Sequence, residues 1–194
     1  MDKHRLLRAV YEAVDWSRLY NDHPDVTRQD VDALFRELGA HPAVAPEPAA
    51  SEQASGAALG KEAHLFTDGA SRGNPGPAGI GMVLKTPDGR TAAAWGEPIG
   101  RTTNNVAEYR AVIAGLRRAL ELGVARVHLF SDSELLVRQL QGTYRVRNAR
   151  LRPLYDEATA LLGRFAAWTV RHVPREENSE ADALATRGAG ANRA

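Results

Sequence analysis

Cysteine is missing altogether from the 194 residues. Disulfides and thiolate metal sites are therefore excluded, and a reducing compartment suits the chain. Long apolar runs are missing as well: no window approaches the roughly 18 uninterrupted apolar residues of a membrane span. The N-terminal "MDKHRLLRAVYEAVDW" has charge throughout and lacks an apolar core of signal-peptide length. The expectation is a soluble, cytoplasmic protein. Lysine is scarce, three residues against 22 arginines. Arginine suits bidentate contact with phosphate, but the same bias follows from the base composition of a genome. Nucleotide-cradling loops are a further absence. The glycine-rich "TDGASRGNPGPAGIG" (67–81) places its glycines at 69, 73, 76, 79 and 81, which matches neither GxxxxGK[ST] nor GxGxxG, and no helical pattern follows it.

Three zones are present. In the first, Leu6, Leu7, Val10, Val14 and Leu19 recur at helical spacing. After a break at "NDHPD", Thr27 and Asp30 stand as a capping box before Val31, Leu34, Phe35 and Leu38, with Gly39 as a stop. The pattern predicts a small helical hairpin over residues 1–39, too slight to bury much alone, so it must dock, self-associate or bind a protein partner. Residues 40–61, rich in Ala, Pro, Ser and Gly without apolar periodicity, read as a flexible linker. Charge divides unevenly: the hairpin carries −2, the linker −1 and residues 62–194 carry +4.

Residues 62–194 form the main domain. "HLFTD" and "GIGMVLKT" read as strands, the latter leading through a tight "DG" turn at 88–89 into a third strand, "RTAAAWGEPI". Val106, Tyr109, Val112, Ile113, Leu116 and Leu120 mark a helix from Asn104 that stops at Gly123. "ARVHLFSD" is a buried strand, "SELLVRQLQG" a short helix, "ARLRPLYDEATALLGRF" largely helical, "AAWTVRHV" the last strand and "NSEADALATRG" the last helix. A three-strand meander followed by helix–strand alternation implies an α/β fold: a mixed sheet with helices on its faces.

Four carboxylates stand out by position. Asp68 ends the first strand, Asp132 follows a buried strand, and Glu108 and Asp182 sit early in helices. Strand ends of open α/β sheets are where ligands bind. The bland readings are turn formation for the two strand-end acids and a favourable helix dipole for the other two. Gathered in one cleft, four anions would repel strongly unless cations held them. With oxygen ligands and no thiolates, the expected ions are hard, Mg²⁺ or Mn²⁺, and a pair of them suits in-line displacement at phosphorus. Neutralising the four acids would raise the formal charge of this zone from +4 to +8, which suits a polyanion.

"FTDGASRGNPGPAGIG", "RTTNNVAEYRAVIAGL", "VHLFSDSELLVRQL" and "RHVPREENSEADALA" together resemble ribonuclease H of type 1, over about residues 62–187. The resemblance implies a ribonuclease H-like mixed five-stranded sheet flanked by helices, and endonucleolytic cleavage of the RNA strand of an RNA/DNA hybrid. It places the metal-binding acids on Asp68, Glu108, Asp132 and Asp182, with two ions per site and products bearing 5′-phosphate and 3′-hydroxyl ends. A helper of product release falls on His172, with Arg175 as the alternative and strand-end packing as the plain reading of His172. Asn74, Asn104 and Asn105 match contacts to the minor groove and sugars, and Arg101 and Thr103 match a pocket for a phosphate of the DNA strand. Helix capping is the plain reading of Thr102–Asn105.

Two departures qualify the resemblance. Glu134 stands where the family usually has Gln, bringing an extra anion near the minor groove. The basic, Trp-bearing helix of the familiar bacterial form is missing, and "GTYRVRNARLRPLY" occupies its place. The alternatives carried forward are a non-catalytic hybrid-binding module, and the same fold acting on double-stranded RNA.

Overall fold

The computed structural model describes residues 59–191. The hairpin expected over residues 1–39, with its suggested protein partner or self-association, and most of the linker expected over 40–61 lie outside them. Within the described residues, β1 (Glu62–Ser71), β2 (Gly76–Lys85) and β3 (Thr91–Thr102) form an antiparallel meander. Helix α1 (Asn104–Glu121) leads to β4 (Arg126–Ser131), which pairs in parallel with β1. The short α2 (Glu134–Leu140) and α3 (Arg152–Leu162) then cross over to β5 (Ala167–His172), parallel to β4. A 3₁₀ turn (Arg175–Asn178) introduces the last helix, α4 (Ser179–Ala191). The sheet order is β3-β2-β1-β4-β5: the sheet is mixed, as the alternation of elements implies, and five-stranded, as the resemblance implies.

Both faces of the sheet are used, but unequally. On one face Leu65, Met82, Leu84, Val127, Leu129 and Val170 pack against Tyr109, Val112 and Leu116 of α1 and Leu161 and Leu162 of α3. Burying a side chain of this size contributes about 1.5–3 kcal/mol, so this layer carries most of the stability. On the other face a thinner cluster of Val83 and Ala94 meets Ala181 and Leu184 of α4, with Phe66 packed beside them. Helix α4 is built from small residues, and the strands beneath it are notched to match. A Cβ added to Gly79 would lie 2.2 Å from the Ala189 amide nitrogen, and one on Gly81 would lie 2.1 Å from the Ala181 carbonyl oxygen. Those glycines of the 67–81 stretch therefore admit a helix rather than a substrate.

Two local expectations change. Strand β1 does not end at Asp68: its ladder with β2 continues from Asp68↔Gly81 to Ser71↔Ala78. The turn between β2 and β3 is wider than two residues, because Lys85 pairs with Thr91. Pro87 has no N–H to give to a ladder. The loop closes instead through the Thr86 amide on the Arg90 carbonyl at 2.9 Å, with Gly89 at φ +87°. No helix among the described residues is long and apolar enough to cross a membrane.

Candidate active site

The site arises where the two central parallel strands part. The β1–β4 ladder makes its last pairing at Phe66↔Phe130, and β4 ends at Ser131, while β1 runs on against β2 alone. Asp68 thus stands just beyond the last parallel rung, and Asp132 follows β4 directly. The start of α1 crosses β1 so closely that a Cβ on Gly69 would lie 2.2 Å from the Glu108 amide nitrogen. That approach brings Glu108 down beside Asp68. Helix α4 adds Asp182 from its first turn. All four carboxylates line one cleft of about 330 Å³, together with Asn104, Arg72 and Arg175.

Burial makes this gathering costly. Asp68 is 5% exposed and Glu108 6%. Desolvation, then the neighbouring Asp132 and Asp182 charges, push the Asp68 carboxyl from 3.8 up to about 7. Glu108 is raised well above the usual carboxylate range by burial first, then by Asp68 and Asp132. Its Oε1 accepts a long 3.4 Å bond from Asn104 Nδ2, and its Oε2 is buried without a hydrogen-bond partner. A buried carboxylate oxygen left unpaired is expensive. Arg175 supplies one compensating charge by donating to Asp182 Oδ1.

These donors fit a hard divalent cation in chemistry: they are all oxygen, two are buried, and one oxygen is orphaned. They do not yet close around one point, since no group of three such side chains among the described residues is drawn tightly enough to hold an ion. Asp182 leans on Arg175, and Asp132 Oδ1 accepts a 2.8 Å bond from Asn178 Nδ2.

The remaining predicted residues divide between the rim and the outside. Asn74 Oδ1 accepts the Asn104 amide at 3.3 Å. The β1–β2 turn therefore caps α1 from 30 residues away, whereas Thr103, at the N-cap position, makes no side-chain cap bond. Arg101 pairs with Pro77 in the β2–β3 ladder, at the start of β2 just after that turn, and is exposed, as is Asn105 in the first turn of α1. Asn74, Arg101, Thr103, Asn104 and Asn105 consequently share one corner of the molecule. Glu134 opens α2 and is held by Arg138 at 2.6 and 2.9 Å, so its extra charge is locally compensated. His172, at the end of β5, lies outside the cleft lining, with Nε2 3.2 Å from the backbone carbonyl of Asp132. Arg175 is inside it.

Two residues escaped the sequence reading. Asn178, 1% exposed, also donates to the Thr67 carbonyl at 3.0 Å. Both its neighbours are acceptors, so the amide nitrogen must face them, and it bridges the separating ends of β1 and β4. In "EENSEADALA" it reads as an ordinary helix-start residue, and no spacing marks it. Arg72 sits in the cleft lining; it falls within the "FTDGASRGNPGPAGIG" stretch, but no spacing there marks it out.

A mixed sheet of this order, with carboxylates gathered where its central parallel strands part, defines a ribonuclease H-like domain. The profile of the family described as reverse transcriptase-like matches residues 66–188. A ribonuclease HI of Halobacterium salinarum is 47% identical over 126 residues, 65% of this chain and 63% of that protein. A bifunctional protein of Mycobacterium tuberculosis is 48% identical over 122 residues, 62% of this chain but only 34% of its own. Among solved structures, LC11-RNase H1 in complex with an RNA/DNA hybrid superposes with a TM-score of 0.65 at 36% identity, covering 68% of this chain and 99% of that one. The chain belongs to this reverse transcriptase-like family, on its ribonuclease H side. It spans less than two thirds of the length of these first curated relatives.

Proposed function

We propose that the protein is a metal-dependent endonuclease that hydrolyses the RNA strand of RNA/DNA hybrids. The observation that carries the reading is the carboxylate cluster, whose buried Glu108 Oε2 has no partner and whose Asp68 is pushed up to about 7 by burial and by the neighbouring Asp132 and Asp182. A monofunctional binding surface has no use for so costly an arrangement. The solved relative with a hybrid bound supports the substrate class.

Asp68, Glu108, Asp132 and Asp182 would hold two divalent ions, Mg²⁺ or Mn²⁺. Such ions, when bound, activate a water for in-line attack on phosphorus and stabilise the departing oxygen. The P–O3′ bond breaks, leaving 5′-phosphate and 3′-hydroxyl ends. The chain's own residues orient the duplex. Asn74, Asn104 and Asn105 form the corner that reads the minor groove, where 2′-hydroxyls separate RNA from DNA. Arg101 and Thr103 at the same corner grip a phosphate of the DNA strand, and Glu134, compensated by Arg138, stays beside the groove without repelling it. Arg175 takes the product-release role in preference to His172, because its guanidinium already reaches Asp182 inside the cleft. A cytoplasmic location completes the reading.

The test is a panel of RNA/DNA, RNA/RNA and DNA/DNA duplexes of one sequence, incubated with Mg²⁺ and Mn²⁺ in parallel. Cleavage of the RNA strand of the hybrid alone, lost in Asp132→Asn, is the expected result. Preferential cleavage of RNA/RNA would move the substrate to double-stranded RNA. Binding without cleavage at high protein concentration would make the protein a hybrid-binding module.

A further inference from the structure

We propose that Arg72 is a binding residue for a backbone phosphate of the duplex, placed at the rim of the carboxylate cleft; this rests on the nuclease reading above. Four observations converge on it. First, its backbone is anchored. Strand β1 ends at Ser71, and the Arg72 amide donates to the Pro77 carbonyl at 2.8 Å, closing the turn. The Ser71 hydroxyl donates to the Thr102 carbonyl at 2.9 Å and ties the turn to the end of β3. Second, its guanidinium is guided. A Cβ on Gly190 would lie 3.0 Å from Arg72 Nη2, so the side chain runs against the last turn of α4 where a glycine leaves room. The carbonyl-rich end of a helix favours a cation. Third, the exposed Arg72 lines the same cleft as Asp68, Glu108, Asp132 and Asp182.

Fourth, its charge is free. Arg175, the other cation of the cleft, is drawn onto Asp182, and Arg90, Arg117, Arg126, Arg138 and Arg152 are all paired with carboxylates. Arg72 has no acidic partner among the described residues. An acidic cleft repels the phosphates that it must process, and an unpaired guanidinium at its rim reverses that locally. The planar fork matches two phosphate oxygens, which a lysine cannot reproduce. Arg72 lies at the cleft edge formed by the β1–β2 turn and the end of α4. Asn104 lines the same cleft, so Arg72 would add a phosphate contact beside the residues that face the groove.

The experiment measures duplex binding by the full chain in the Asp132→Asn background with Mg²⁺ present, by fluorescence anisotropy across a salt series. Arg72→Ala is expected to weaken binding of the hybrid about tenfold and to reduce the slope of log affinity against log salt by about one. Arg72→Lys should keep the slope and recover only part of the affinity. Unchanged affinity and slope in Arg72→Ala would overturn the proposal while leaving the nuclease reading intact. RNA/RNA and DNA/DNA arms separate the two claims. A loss common to all three duplexes supports a phosphate contact whichever duplex is cut, whereas failure of the parent protein to bind any of them overturns both.

Discussion

Asp68 sets the pH behaviour of the cation-free protein. Its carboxyl titrates near 3.8 in an unfolded chain and at about 7 in the fold. Between those values the folded state holds a proton that the unfolded state has released, so stability is full below about pH 4 and is lost as pH rises through about 7. Without divalent ions, unfolding free energy should fall by roughly 2–3 kcal/mol from pH 5 to pH 8. Asp68→Asn should remove the share of that decline due to Asp68 and leave the share due to Glu108, whose carboxyl is also raised by burial, and urea titrations at several pH values in EDTA would read it. Asn178 offers a second test. If its amide holds Asp132 in place, Asn178→Ala should lower affinity for Mg²⁺ about 10–100-fold, as lost support of a metal ligand commonly does. Isothermal titration calorimetry of the folded variant checks this without reference to activity, and undiminished affinity would make Asn178 a purely structural tie. The acids stood out in the sequence because each lies where the apolar pattern changes, after a strand core or at a helix start, although β1 itself runs on past Asp68 to Ser71. Asn178 and Arg72 did not, since a buried tie and a guided arginine leave no period and no spacing.

At the level of elements, the contact between α4 and β2 is governed by missing side chains. An added methyl at Gly81 meets the Ala181 carbonyl and the Ala185 amide, backbone atoms that cannot step aside without moving the helix. Gly81→Ala should therefore destabilise the fold by about 1–3 kcal/mol or more, as overpacking does. Because α4 carries Asp182, the same variant should also weaken Mg²⁺ binding; thermal denaturation with and without Mg²⁺ measures both effects. An unaltered melting temperature would mean that α4 can slide on the sheet. Helix α1 could be read almost to the residue from its apolar spacing, whereas α3, expected broadly over 149–165, occupies only Arg152–Leu162. The ends of β1 and β2 could not be read in this way. Glycine and proline in "ASRGNPGPAGIG" signal a break, but the strands run through most of it, because Gly79 and Gly81 lie where α4 presses on the sheet, while Gly73 and Gly76 serve the turn. Tertiary contact, invisible in a local pattern, decides what those glycines mean.

At the scale of the whole molecule, the cleft is assembled from the most distant parts of the described chain: β1 at one end, α1 and β4 in the middle, α4 at the other. No one of these elements carries more than one of the four acids. Any ion bound there must therefore link elements that only the complete fold brings together, and binding to the folded state alone adds to global stability. At 100 times its dissociation constant an ion should contribute about 2.7 kcal/mol. At one fixed ion concentration the gain should be larger above pH 7, where Asp68 has lost its proton. Melting curves with Mg²⁺ titrated in at pH 6 and pH 8 should show the larger upward shift at pH 8. Asp182→Asn should shrink the shift at both, since it removes the one ligand that ties α4 to the strand ends. A shift independent of pH, or one retained in full by Asp182→Asn, would place the ion elsewhere. Asp68 and Glu108 would then be left without the partner that their burial requires.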